Sequence, residues 1–225
     1  MLRNRSSISI RIIFGLLLVS CLTLFAPPTR SLAASAIKIS SARAMPLGTT
    51  VTIKGTVTVP SGLFASSSFD QGFAIQDKTG GIYVSIATNL GLQLRDQVEV
   101  TGQLADSFGL LILVPAGPAD VKQKGNGPRV EPKETATNAI GEATEGRLVQ
   151  IEGRITQSVS NDLPYGRLFF IDDGSGAVKI YVNASTNIDV SGLQLGQEVR
   201  ITGFSGQFDT QYEVDVRVPG DIQAE

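Results

Sequence analysis

Gly91-Leu-Gln-Leu-Arg-Asp-Gln-Val-Glu-Val-Thr-Gly102 returns as Gly192-Leu-Gln-Leu-Gly-Gln-Glu-Val-Arg-Ile-Thr-Gly203, with seven of the twelve positions identical. In each copy a polar turn leads into alternating apolar residues, Val98 and Val100 in the first, Val199 and Ile201 in the second. Period two puts those side chains on one face, so each copy predicts a half-buried strand. The closing glycine predicts a bend or bulge in that strand.

The repetition extends outward from this stretch. Val51-Thr-Ile-Lys-Gly-Thr-Val-Thr58 and Val149-Gln-Ile-Glu-Gly-Arg-Ile-Thr156 agree at four of eight positions, including the mid-strand Gly55 and Gly153. Phe73-Ala-Ile-Gln-Asp77 corresponds to Phe169-Phe-Ile-Asp-Asp173. Each is followed by a glycine-containing hairpin turn and a third apolar strand, 82–86 and 178–182. Residues 110–114 and 212–218 supply a last strand, and 39–48 and 137–146 open each unit with a helical turn. Residues 87–96 are too polar for a long helix and predict a turn or one short helix. The fold class is therefore all-β, two tandem five-stranded Greek-key barrels on the OB-fold plan, in which one face and two loops are available for ligands. The expected domains are 37–124 and 134–225. Residues 125–133 form a linker stiffened by Pro128 and Pro132.

Residues 1–36 stand apart. Arg3, Arg5 and Arg11 precede an apolar run from Ile12 to Ala26, and Ala33, Ala34 and Ala36 follow. This is the pattern of a secretory signal peptide, with cleavage after one of those alanines, and the run is short for a membrane span. The expected location is periplasmic or extracellular, with no stable membrane span after cleavage. Leu18-Val-Ser-Cys21 also fits a lipobox, which would anchor the chain through Cys21, but Leu22, Leu24 and Phe25 carry the apolar run past the cysteine.

Composition narrows the chemistry. Cys21 is the only cysteine and the chain has no histidine. The commonest general base, the commonest zinc ligand and any disulfide are thereby removed from the exported part. Of 19 Lys+Arg, Arg3, Arg5, Arg11 and Arg30 lie in the signal segment, leaving 15 against 21 Asp+Glu, a net −6. Residues 38–124 carry 7 basic and 6 acidic residues, whereas 134–225 carry 6 and 14, a net −8. The two halves share a pattern but not an electrostatic role.

Each half resembles the OB-fold domains found beside or within secreted bacterial nucleases and phosphoesterases, related in pattern to the tRNA-anticodon-binding OB group. The residues that carry the likeness are the Ala-Arg-Ala…Gly48 opening, Val51-Thr-Ile-Lys-Gly-Thr-Val57, the Phe73-Ala-Ile-Gln-Asp77…Gly81-Ile hairpin and the stretch from Gly91 to Gly102. The resemblance implies a barrel more than a ligand. The catalytic domain of such nucleases uses histidine and paired acids, and no segment here remains to form it.

Alternation assigns the faces. Phe73, Ile75, Ile82, Val84 and Ile86 point into the first barrel, and Lys54, Thr56, Gln76, Tyr83 and Ser85 point out. In the second barrel Phe169, Ile171, Val178, Ile180 and Val182 point in. Glu152, Arg154, Phe170, Asp172, Lys179 and Tyr181 point out. Outward aromatics beside basic residues are what single-stranded nucleic acid uses on an OB sheet. The candidate ligand-binding residues are therefore Arg154, Phe170, Lys179 and Tyr181, with Lys54 and Tyr83 as a smaller set. The same rings could instead pack one barrel on the other, and the −8 charge opposes a polyphosphate. Asp172-Asp173-Gly-Ser-Gly176 reads as a polar hairpin, without the spacing of a calcium loop. Asp209, Glu213 and Asp215 read as a solvated strand edge. No cofactor or metal is expected. The reading is a non-enzymatic, exported binding protein, for single-stranded DNA or RNA or, alternatively, as a glycan- or protein-binding accessory module of the cell envelope. A hydrolase is the third class, with no motif to support it.

Overall fold

The computed structural model describes residues 35–64 and 70–224, and Ala34–Glu225 forms one compact unit. The expected signal segment up to residue 34, with Cys21, lies outside the described residues.

The first barrel holds β1 (Thr50–Val59), β2 (Phe73–Gln76), β3 (Gly81–Val84), β4 (Asp96–Ser107) and β5 (Leu110–Val114), preceded by the short helix α1 (Ile39–Arg43). Their order is β1-β2-β3-β5-β4, and β4 pairs back onto β1 to close the sheet. β3 and β5 run parallel, with Tyr83 opposite Ile112, and the other pairs are antiparallel. β6 (Val121–Asn126) adds outside β4. The second barrel repeats the plan with β8 (Leu148–Asp162), β9 (Gly166–Asp172), β10 (Val178–Asn183), β11 (Glu198–Phe208) and β12 (Gln211–Asp215). The order is β8-β9-β10-β12-β11, β11 closes onto β8, and β10 and β12 run parallel. β7 (Lys133–Glu134) and β13 (Ile222–Ala224) flank it. This is the strand order of two OB-fold barrels.

Residues 87–95 form bends and turns, the first of the two outcomes expected for this stretch, a turn or one short helix. Each sheet carries more strands than the five expected. β6 reads Val-Lys-Gln-Lys-Gly-Asn with only Val121 partly buried, so its apolar alternation was too weak to read as a strand.

The long fourth strand of each barrel pairs with three neighbours, and its glycine lets it bend between them. A Cβ built on Gly102 would stand 2.8 Å from the Val114 carbonyl, and one on Gly203 would stand 2.6 Å from the Asp215 oxygen. Any side chain there would push β5 or β12 away and open the barrel.

Each barrel has its own core. Phe73, Ile75, Ile82, Val84 and Ile86 meet Val98 and Val100 in the first, and Phe169, Ile171, Val178, Ile180 and Val182 meet Val199 and Ile201 in the second. The inward set read from alternation is the observed one. The outward set needs correction. Thr56, Gln76 and Tyr83 point away from the first core and are nonetheless buried. Glycine 127 covers Thr56, while the second barrel covers Gln76 and Tyr83.

That second contact makes a third apolar cluster, in which Val59, Phe64, Ala74, Tyr83 and Ile112 of the first barrel surround Phe204 of the second. The Phe204 ring lies 6.2 Å from Tyr83 at 62° and 6.1 Å from Phe64, a tilted geometry that aromatic quadrupoles favour. Polar bonds surround it. Gln76 Oε1 accepts from the Leu148 N–H at 2.8 Å, and Arg217 Nη1 donates to the Thr58 carbonyl at 2.8 Å. Arg43 of α1 pairs with buried Glu145 at 2.8 Å and with Glu142 at 3.2 Å. The backbones touch where both residues are glycine: a Cβ on Gly81 would fall 1.9 Å from the Gly146 oxygen.

Candidate ligand cleft between the barrels

In an OB barrel the second and third strands, with the loops between strands one and two and between strands four and five, form the usual ligand surface. In the second barrel these are β9, β10, the β8–β9 turn and the β11–β12 turn. A cavity of about 490 Å³ lies over that surface. Tyr165 and Leu168, Lys179 and Tyr181, Glu213 and Asp215 line its floor and one wall. The first barrel completes it with Phe64, Tyr83 and the β4–β5 hairpin carrying Phe108.

The mouth is aromatic. Phe108 and Phe208 sit at the tips of equivalent hairpins of the two barrels and stack at 5.5 Å with an interplanar angle of 19°. The Asp209 N–H donates to the Phe108 carbonyl at 2.6 Å and ties the tips together. Both rings and Tyr165 are exposed.

The floor is polar and organised. The Tyr181 hydroxyl donates to Asp162 Oδ2 at 2.8 Å. Lys179 pairs with Glu213, and its ammonium stands 5.4 Å from the centroid of the Tyr181 ring. Asn183 Nδ2 donates to Asp215 Oδ1 at 3.1 Å. Burial pushes the Asp215 carboxyl well above the usual carboxylate range, and the neighbouring Glu213 charge adds to it, against Lys179 and the Asn183 bond. Burial also raises Glu213, with Lys179 opposing. Tyr181 is raised by burial and by Asp162, so it stays a neutral phenol and a donor.

Register shows how the two barrels diverged. The pair Tyr83 opposite Ile112 in the first barrel occupies the place of Lys179 opposite Glu213 in the second. The apolar pair is spent on packing against Phe204. The charged pair is left facing the cleft.

The sequence-predicted residues are thus distributed. Lys179 and Tyr181 lie in the cleft, and Tyr83 is its buried back wall, donating to Asp70 Oδ1 at 2.9 Å. Phe170 is half-buried on β9, opposite Lys179 in register, and is not among the lining residues. Arg154 is exposed on β8 and bound to Glu198 at 2.9 and 2.6 Å. Lys54 is exposed on β1 opposite Glu99 and does not line the cleft. Of the six predicted residues, Lys179, Tyr181 and Tyr83 line the cleft, and Arg154, Phe170 and Lys54 do not.

Several lining residues escaped the sequence reading. Glu213 and Asp215 are not a solvated edge: β12 lies between β10 and β11, and both acids are buried. The parallel pairing that centres β12 leaves no local signal in the sequence. Asp162, Tyr165, Phe108 and Phe208 stand at turns whose convergence is tertiary. In the Asp172–Gly176 hairpin the carboxylates are occupied by the turn and, for Asp173, by the Thr137 N–H and hydroxyl. Asp172 Oδ1 accepts from Gly174 and Gly176, and Asp173 Oδ1 accepts from Ser175.

Fold and cleft define an all-β protein of two OB-fold barrels with one composite cleft between them. No protein-family model and no curated protein matches the chain. Solved structures similar to it include the hypothetical protein ygiW from E. coli, at 19% identity over 40% of this chain and 89% of that one, TM-score 0.31. An OB domain from Methanosarcina mazei is similar at 14% identity over 43% and 84%, TM-score 0.34. A murine DNA binding protein bound with ds DNA is similar at 13% identity over 73% and 90%, TM-score 0.38.

Proposed function

We propose that this chain is an exported, non-enzymatic tandem OB-fold binding protein, an accessory module of the cell envelope that holds an oligosaccharide in the cleft between its barrels. One observation carries the reading. The cleft has aromatic walls for stacking and a floor of carboxylate, amide and phenol groups, with three acids against one lysine that is already paired. Sugar rings stack on aromatic faces, and their hydroxyls both donate to carboxylates and accept from amides. Phosphodiesters would meet Asp162, Glu213 and Asp215 instead of cations, and phosphate contacts dominate nucleic-acid affinity.

A second reading, single-stranded nucleic acid, is favoured by the exposed Phe108–Phe208 pair beside Tyr165, because bases stack on such rings at about 1–3 kcal/mol each. It matches the resemblance to OB domains that accompany secreted nucleases. Calorimetric titration with neutral glucan and N-acetylated oligosaccharides, and with single-stranded DNA, separates the two. Glycan binding is expected to persist from low to high salt, to weaken about tenfold with Tyr165→Ala plus Tyr181→Ala, and to leave DNA unbound. DNA binding that falls steeply with salt, with no glycan binding, sinks the first reading and keeps the second. Export is checked separately. Mass spectrometry of the native protein should find an N-terminus after residues 33–36, and a lipid-modified Cys21 would replace that expectation with anchoring.

A further inference from the structure

The cleft contains a carboxylate that the protein itself leaves half used. Asp215 is only 8% exposed, and its Oδ1 accepts from Asn183. No hydrogen bond from a described residue reaches Oδ2. That oxygen lies beside Gly206, where a Cβ would stand 2.9 Å from it. Glycine at 206 keeps the approach open.

Lys179 shows what this floor can hold. Its ammonium is caged between the Glu213 carboxylate and the face of Tyr181, the arrangement by which carboxylates and aromatic quadrupoles bind cations. Yet two buried carboxylates, Glu213 and Asp215, share this single ammonium, with the exposed Asp162 at the cleft beside Tyr181. A buried carboxylate without a counter-charge is costly. Burial and the Glu213 charge hold the proton on Asp215; a ligand ammonium beside Oδ2 would stabilise the ionised carboxylate and release that proton, whereas a ligand hydroxyl supplies a donor without stabilising the charge.

We propose that the cleft recognises a protonated primary amine on its glycan, so that the ligand is an oligomer of amino sugars with free amino groups. Asp215 Oδ2 and Asp162 receive the ammonium, and Tyr165 and Tyr181 stack on the rings. This rests on the glycan reading and adds a charge requirement to it.

The test titrates the full chain with a glucosamine oligomer, its fully N-acetylated counterpart, a neutral glucan oligomer and a lysine oligopeptide, at a pH where the amines are protonated. The glucosamine oligomer is expected to bind about tenfold or more tighter than the N-acetylated one, the difference made by a hydrogen bond to a charged group. Asp215→Asn should abolish that preference, read as the ratio of affinities for the free and the N-acetylated oligomer in the same variant. Lys179→Met removes the internal ammonium and frees Glu213, so it should tighten binding of the amino oligomer alone. This gain cannot arise from misfolding, and circular dichroism confirms that each variant is folded. Equal affinity for free and acetylated sugars overturns the inference and leaves the glycan reading standing. No sugar binding at all removes both. Binding of the lysine peptide without the amino sugar, or an unchanged affinity in folded Lys179→Met, also overturns it.

Discussion

At the scale of single residues, the cleft trades stability for a prepared surface. Asp215 has a folded-state pKa above its unfolded value of about 3.9. Its protonated form therefore favours the fold at acid pH, and this stabilisation is lost as pH rises through the folded pKa. Asp215→Asn keeps the oxygen that accepts from Asn183 and removes the ionisation. We expect the variant to melt close to the wild type near pH 4 and above it near pH 8, by about 2–4 °C for each kcal/mol released. Thermal melts of both proteins across that range check it, since groups away from Asp215 cancel in the difference and Glu213, whose charge acts on Asp215, is read as part of the effect. The same offset at both pH values would show that Asp215 does not ionise within this range. The outward faces were legible here only in part. Alternation placed Tyr83, Lys179 and Tyr181 outside their cores, but whether outside means solvent, partner barrel or cleft depends on what covers each position. Arg154 reads as a free cation in sequence, and only the register that sets Glu198 beside it shows the charge to be neutralised.

At the scale of the element, the repeated stretch contains two glycines with opposite tolerance. Gly192 opens the second copy, and a Cβ there meets nothing within 4 Å. Gly203 closes it, and a Cβ there would stand 2.6 Å from both the Asp215 oxygen and Val214 Cγ1. Gly192→Ala should leave the melting temperature within about a degree, because surface substitutions of this kind stay within about 0.5 kcal/mol. Gly203→Ala should cost about 1–3 kcal/mol, the range for overpacking a well-packed site. Denaturant titration of the two variants reads the contrast, and equal stabilities would mean that the bend of β11 is not enforced by backbone contact. The element also marks the limit of reading patterns. The strands with strong alternation, β1, β4, β8 and β11, were legible because one face of each meets a core. β6 and β13 were not, because they lie on a sheet's outside and bury little.

At the scale of the molecule, two separate cores are joined by a small third cluster. Each barrel closes on itself, so residues 37–126 and 134–225 expressed alone should each melt cooperatively. Each should melt below the tandem protein, because separation exposes Phe204, Tyr83 and Ile112 and leaves Glu145 without Arg43. Burial of a large aromatic side chain contributes about 1.5–3 kcal/mol, so the loss should be several degrees. Calorimetry of the two halves and the whole tests this; a half with no cooperative transition would mean that the barrels form one folding unit. The 134–225 half carries Asp162, Tyr165, Tyr181 and Asp215 and should keep weakened ligand binding, whereas the 37–126 half, which supplies only walls such as Phe64 and Phe108, should bind none.

What the sequence determined by itself was the barrel, twice over, and the inward face of each strand. Those follow from local rules: side chains alternate along a strand, and glycine stands where backbone approaches backbone. What only the tertiary structure decided was which of two equivalent surfaces packs and which is left open. Tyr83–Ile112 and Lys179–Glu213 occupy the same register in their barrels. The difference between a seam and a cleft comes from Phe204 covering one and from the paired hairpins of Phe108 and Phe208 standing over the other. Those contacts join residues about ninety or more positions apart. Alternation and turn chemistry act over a few residues and carry no information about them.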